Sequence, residues 1–286
     1  MKIAWFGAGM MGSGFVEALR RRGDEVRVWN RTFEKAKALE RFGAVAVEDP
    51  RATLAGAERV HSILSDDAAV DGLLVQIADA IPKGVPVIDH TTVAPQPTAS
   101  RFQWCVQRGI EFLHAPVFMG PQSCRDGTGL MMCSGPRARF ERVESELKKM
   151  TGELWYLGER VDKAAALKLL GNEMLLTITA GLADGYRMMR AVDIAPQEAY
   201  ELFAHFKPGN AIEMRGKRMA AGEFAPPSFE LTMARKDARL MLESAERGGM
   251  PLHLMPAIAA WMDEAIAAGH GAEDMGVLAA DAFTKR

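Results

Sequence analysis

Lys2–Trp29 reads KIAWFGAGMMGSGFVEALRRRGDEVRVW, and the order of residue types in it decides the fold of the first half of the chain. Lys2–Phe6 is an apolar run with the length of a buried strand. Gly7-Ala8-Gly9-Met10-Met11-Gly12 follows at once, then the amphipathic stretch Ser13–Arg22, the turn Gly23-Asp24 and a second strand, Glu25–Trp29. In this setting of strand, G-x-G-x-x-G, helix and strand, each glycine has a mechanical task. Gly7 permits a tight turn, Gly9 lets the backbone approach a pyrophosphate, and Gly12 allows helix to pack closely on strand. The helix start offers free N–H groups and a positive dipole end to phosphates. The stretch therefore predicts a dinucleotide site cradled by Gly7, Ala8, Gly9, Met10, Met11 and Gly12.

The end of the second strand bears on which dinucleotide. NAD sites usually carry an acid there for the ribose 2′-OH. Here the strand runs into Asn30-Arg31-Thr32. Asn30 does not repel a 2′-phosphate, Arg31 can pair with it and Thr32 can donate a hydroxyl, which favours NADP over NAD. A solvated arginine in a loop is the plainer reading of Arg31.

Further strand–helix units follow: strands at Ala44–Val47, Arg59–Leu64, Val85–Asp89 and Glu111–Ala115, with helices at Ala68–Ile81 and Pro95–Arg108. Ligands sit beyond the carboxyl ends of such strands, so Leu64-Ser65 and Thr91-Thr92 are expected to line the cofactor. The threonines could equally cap the next helix. Pro116–Pro121 reads as a loop; Gly129–Cys133 and Glu153–Tyr156 read as closing strands around a helix over Arg137–Lys149. The boundary of this Rossmann-type α/β domain is expected near Gly158–Asp162, giving domains over 1–160 and 161–286.

Val161–Ile194 lacks proline and carries apolar residues at helical spacing, so it predicts a long helix. Such a helix can serve as spine of a second domain and as one wall of a cleft. Lys168 and Asn172 share one face of it, one turn apart, among Leu167, Leu169, Leu170 and Leu175. A lysine desolvated there is suited to acid/base work; a solvated lysine at the rim is the plainer alternative. Everything after it reads as helix: Pro196–His205, Ala211–Ala221, Ser228–Arg247 with Ser228 as N-cap and Gly248-Gly249 as stop, Leu252–Ala268 and Glu273–Thr284. The fold expected is an α/β Rossmann-type domain joined by a long helix to an all-α domain.

Composition narrows the partners. The 286 residues are 48% hydrophobic and 25% charged with a net charge of −2, so neither nucleic acid nor an anionic membrane is expected as the main partner. Three cysteines without C-x-x-C spacing and scattered histidines suggest no disulfide framework and no metal site. With no cleavable leader visible and no long uncharged apolar run, a cytoplasmic protein is expected. An all-helical domain with an apolar spine commonly packs on its own symmetry mate.

Taken together these stretches resemble the β-hydroxyacid dehydrogenase family across essentially the whole chain. Gly7–Gly12 resembles its G-x-G-x-M-G fingerprint, and Asn30-Arg31-Thr32 the N-R-T of its NADP-using members. Asp89–Pro95 resembles its D-x-S-T-V-x-P loop, and Lys168–Asn172 its K-x-x-N-N. The resemblance implies an NADP-dependent enzyme acting on a small β-hydroxyacid or semialdehyde. In it Lys168 is the catalytic acid/base and Asn172 assists at the substrate. It also implies Lys236 near the cofactor, Thr92, Phe118, Met119, Gly120, Phe229 and Asp237 near the substrate, Asp274 as a further shared position, and a homodimer or homotetramer. Two stretches depart from the pattern. The substrate loop D-A-P-V-S-G-G is His114–Gly120 here, with Phe118 and Met119 in place of serine and glycine, and Asp162-Lys163-Ala164 replaces G-x-G. Phe118 lacks the hydroxyl that holds a carboxylate, which opens the way to a bulkier or less acidic substrate. A reductase of another electrophile such as an imine, and a non-catalytic NADP-binding protein, are the alternatives.

Overall fold

The computed structural model describes residues 1–283. They form two compact units, Met1–Glu173 and Met174 onwards. In the first, β1 (Lys2–Phe6), α1 (Met10–Arg21), β2 (Glu25–Trp29), α2 (Phe33–Lys37), β3 (Val45–Ala46), β4 (Arg59–Ser62), α3 (Asp67–Ile77), β5 (Pro86–Asp89), α4 (Pro95–Gln107) and β6 (Glu111–His114) alternate. They build a parallel sheet of order β3-β2-β1-β4-β5-β6. β1 and β4 are buried along almost their whole length, as expected of central strands covered by helices on both faces. Strand order reverses between β1 and β4, and a doubly wound sheet opens its ligand crevice at such a point.

The loop expected at Pro116–Pro121 contains a short strand, β7 (Val117–Phe118), and leads into α5 (Pro121–Asp126). β7 pairs antiparallel with β8 (Leu130–Cys133), which pairs parallel with β9 (Glu153–Tyr156). The closing strands thus form a separate three-stranded sheet. Between them the single expected helix is broken into α6 (Arg137–Glu141), α7 (Glu144–Leu147) and a 3₁₀ turn. Gly14 lets α5 lie on α1: a Cβ there would stand 2.7 Å from the Pro121 carbonyl oxygen and 3.0 Å from Cys124 Cβ.

The long helix is α8 (Lys163–Ala191). The first compact unit extends into this helix, because Ala164 and Ala165 on its first turn are buried in the apolar clusters of that unit. The second unit continues with α9 (Pro196–Tyr200), α10 (Leu202–His205), α11 (Asn210–Ala220), α12 (Leu231–Arg247) and α13 (Met255–Ala265). Ser228 does not cap α12, whose N-cap is Glu230; its hydroxyl donates to Asp274 Oδ2 at 2.6 Å. Gly269, at φ 98°, ends the expected Leu252–Ala268 helix in a π turn over Ile266–His270. The last expected helix is a 3₁₀ helix over Met275–Phe283, and Thr284 lies outside the described residues. Among the described residues, no helix is long and apolar enough to cross a membrane.

Candidate active site

A cavity of about 640 Å³ lies at the strand-order reversal, lined by Gly7 and Gly9–Gly12 after β1, by Trp29–Thr32 after β2 and by Ile63–Ser65 after β4. Gly7 has φ 108°, and a Cβ on it would lie 2.1 Å from the Ile63 carbonyl oxygen. A Cβ on Gly12 would lie 2.1 Å from the Gly7 carbonyl oxygen, so loop and helix touch backbone to backbone. Gly9 differs: nothing stands within 4 Å of where its Cβ would be, and Gly9 borders the cavity. α1 has Gly9 as its N-cap, with no side-chain capping bond and no acid in its first turn. Its first N–H groups therefore lack internal acceptors and favour an anion. These features fit the pyrophosphate of a dinucleotide.

Asn30 is more than a neutral bystander. Its Oδ1 accepts from the Ala8 N–H at 2.9 Å, and its Nδ2 donates to the Thr32 carbonyl at 2.9 Å. The side chain clasps the glycine loop to the end of β2. Ala8 is buried and commits its N–H to that clasp, so it does not itself line the cavity. Arg31 and Thr32 do, and the Thr32 side chain makes no capping bond to α2. Lys35, one helical turn after Arg31, adds a second cation that the sequence reading missed. Also missed was the α3 wall of Ala68, Ala69, Gly72, Leu73 and Gln76. Asp66 caps α3 by accepting the Ala69 N–H at 2.8 Å. That bond, with the Ser65 hydroxyl and the nearby Arg31 charge, holds its carboxyl below the usual range.

Thr91 neither lines the cavity nor caps α4. It is fully buried; its hydroxyl donates to Asp89 Oδ1 at 2.6 Å and accepts from the Leu64 N–H at 2.9 Å, fixing the loop after β4 from below. Thr92, next along, is exposed and not among the cavity residues. Beneath them His90 Nδ1 lies 2.7 Å from the Ala115 carbonyl, which can only accept, so Nδ1 carries the proton. His90 Nε2 then accepts from His61 Nδ1 at 2.9 Å. Burial pushes His90 down to about 4, which keeps this chain neutral and its tautomers fixed.

A second cluster forms where α8 passes β7. Lys168 is 7% exposed, which rules out the solvated rim position. Its Nζ donates to Asn172 Oδ1 at 2.9 Å and lies 3.8 Å from the centre of the Phe118 ring. Burial lowers the amine's pKa, while the ring face favours the ammonium by about 0.5–2 kcal/mol. Met119 packs against the core beside α1, and Gly120 starts α5. None of Phe118, Met119, Gly120, Lys168 and Asn172 is among the residues lining the cofactor cavity.

The remaining expected residues lie in the second unit. Lys236 is exposed and pairs with Asp237 at 2.8 Å. Phe229 packs into the helical core, and its N–H donates to Asp274. Asp274 accepts as well from the N–H groups of Ser228 and Gly276, which makes it a clamp on the chain. Among the described residues no group of three His, Cys, Asp or Glu is placed to hold a metal.

The sequence matches the NAD binding domain of 6-phosphogluconate dehydrogenase over residues 2–158. Over residues 163–280 it matches the NAD-binding domain of NADP-dependent 3-hydroxyisobutyrate dehydrogenase. The chain belongs to the β-hydroxyacid dehydrogenase family of pyridine-nucleotide-binding oxidoreductases. Among its relatives, the uncharacterized oxidoreductase YfjR of Bacillus subtilis is 26% identical over 97% of this chain and 98% of its own length. The cytokine-like nuclear factor N-PAC of Xenopus tropicalis is 28% identical over 84% of this chain; the match spans 46% of that longer protein. An imine reductase from Myxococcus stipitatus, solved with NADP⁺, shares the fold at a TM-score of 0.90, with 23% identity over 97% of this chain and 98% of that one.

Proposed function

We propose that this chain is an NADP-dependent oxidoreductase interconverting a small carbonyl compound and its alcohol, a class represented in the family by semialdehydes and β-hydroxyacids, with Lys168 as general acid and base. The observation that carries the reading is the buried Lys168 ammonium hydrogen-bonded to Asn172. NADP(H), when bound, supplies or accepts the hydride. Gly9–Gly12 and the start of α1 would hold its phosphates, and Arg31 with Lys35 would receive a 2′-phosphate. In reduction Lys168 Nζ gives a proton to the carbonyl oxygen as the carbon gains hydride; in oxidation the neutral amine takes it back. Asn172 fixes the direction of the Nζ protons, and burial makes the ammonium readier to release one. A second reading, reduction of an imine, is favoured by the likeness to the imine reductase, and in it Lys168 would protonate nitrogen instead of oxygen.

Steady-state assays with a panel of aldehydes, ketones and cyclic imines test this. NADPH should be used at least about tenfold better than NADH, and Arg31→Leu with Lys35→Leu should erase the difference by removing both cations. Equal use of the two cofactors by the unaltered protein would reject the NADP assignment. Turnover of imines alone would move the reading to its alternative.

We also propose a homodimer or homotetramer. Every residue of α8 from Glu173 to Ala183 is exposed, although Leu175, Leu176, Ile178 and Leu182 are among them, with Leu176 at 72%. Apolar surface around the whole circumference of a helix calls for burial, and a second copy is the proposed cover. Leu175→Asp with Leu176→Asp should shift the sedimenting species to the monomer. A monomer from the unaltered chain at micromolar concentration would refute the proposal.

A further inference from the structure

The Phe118 ring that faces the Lys168 ammonium also rests on the backbone of α8. A Cβ at Gly171 would stand 2.2 Å from Phe118 Cζ and 2.8 Å from Cε1. Only a residue without a side chain at 171 leaves the ring where it is. Leu130 and Leu167 pack with Phe118 around Met132, Leu157 and Ala164, so the ring has an aliphatic backing. Phe118, Gly171 and Lys168 therefore form one unit, although 53 positions separate the first two in the sequence.

This unit constrains what can approach the amine. An oxygen that accepts from Lys168 Nζ lies about 2.9 Å from it. The atoms bonded to that oxygen's carbon then come within van der Waals range of a ring whose centre is 3.8 Å from the same Nζ. The face of an aromatic ring is the negative end of its quadrupole: it attracts C–H groups and repels a carboxylate. The aliphatic backing offers no donor to replace the water that a carboxylate would lose.

We propose that Phe118 and Gly171 are the specificity-determining pair of this site, and that the substrate presents an uncharged apolar group to the ring beside the carbonyl served by Lys168. This rests on the assignment of Lys168 above and narrows its substrate class, from acid semialdehydes to carbonyl compounds whose flanking group is hydrocarbon.

Non-reducible carbonyl ligands test the pair without turnover. Butanamide and succinamate share an amide and a four-carbon chain and differ by a terminal carboxylate. Titrated calorimetrically into the NADP⁺ complex, butanamide should bind about tenfold more tightly or better, and Phe118→Ser with Gly171→Asn should shrink or reverse the preference. Succinamate binding as tightly as butanamide to the unaltered protein, or binding of neither, overturns the proposal. Thermal unfolding supplies a second measurement: Gly171→Ala should lower Tm in the Phe118 background and be tolerated once Phe118→Ala has made room. An equal loss in both backgrounds overturns the coupling. If the amide preference holds but NADPH reduces no aldehyde, the assignment of Lys168 fails and the pair stands. If aldehydes are reduced but succinamate is preferred, the pair fails alone.

Discussion

Lys168→Met should lower kcat by about 10²–10⁴-fold, the usual range for loss of a general acid, while NADPH affinity stays nearly unchanged. Methionine keeps the length of the aliphatic stem that packs beneath the ammonium, so the change removes a charge and little volume. Lys168→Arg should rescue poorly, since a guanidinium does not release its proton near neutral pH even where it keeps the charge beside Phe118 and Asn172. The pH dependence has a definite sign. Reduction needs the ammonium, so its rate should fall as pH rises through a Lys168 pKa that burial sets below the ordinary value of about 10.4; oxidation should rise over the same window. Stability moves with oxidation. The unfolded chain holds this proton to higher pH than the folded one, so the lysine opposes folding at neutral pH and that opposition fades as pH climbs through the folded pKa. Lys168→Met should accordingly leave Tm unchanged or raised. A Tm collapse with Met, or near-full kcat with Arg, would assign Lys168 a structural role.

Gly12→Ala and Gly9→Ala should separate fold from ligand. The added methyl at 12 meets the Gly7 carbonyl oxygen at 2.1 Å and Ile63 Cγ2 at 3.2 Å, and backbone cannot step aside cheaply. A loss of about 3 kcal/mol or more is expected, which lowers Tm by roughly 6–12 °C for a unit of this size, with cofactor binding lost alongside. The methyl at 9 meets nothing within 4 Å, so Gly9→Ala should unfold at the parent temperature. It should nonetheless bind NADPH far more weakly, because it occupies the space the phosphates need. The two variants are read by differential scanning fluorimetry with and without NADPH. A Tm drop for Gly9→Ala, or ordinary NADPH binding by it, would contradict the assignment of that loop.

What could be read from the sequence was what depends on local order. Gly7–Gly12 runs from the end of a strand into the first turn of a helix, and Asn30–Thr32 follows the next strand, so neighbours along the chain suffice to place them. The succession of strand–helix units and the long helix followed from the same periodic signals, whereas the strand order and its reversal point came only with the structure. Residues whose role depends on distant partners were harder. Thr91 and Thr92 look alike in sequence, yet Thr91 is fully buried on Asp89 and Thr92 is exposed. Lys35 carried a faint signal, four residues after Arg31 at the start of a short helix. The α3 wall shows only as small residues recurring at 68, 69 and 72. Gly171 was not legible at all without Phe118: the gap where the resemblance has an asparagine gains its meaning only from the ring that fills it. The first compact unit reaches into α8 because one helix can belong to two cores in turn, which periodicity along the chain does not reveal.

The Asn30 clasp bears on how this lineage could change its coenzyme. Swapping the amide for a carboxylate, the single step that would invite a ribose hydroxyl, keeps the acceptor for the Ala8 N–H but turns the donor facing the Thr32 carbonyl into a second acceptor. Two lone-pair-bearing oxygens would then confront each other at the base of the glycine loop. A change of coenzyme that goes through position 30 alone therefore loosens the hold on the glycine loop, unless the turn at Thr32 is rebuilt first. Selection acting one substitution at a time meets a valley there, and a designer should alter the turn and the side chain together.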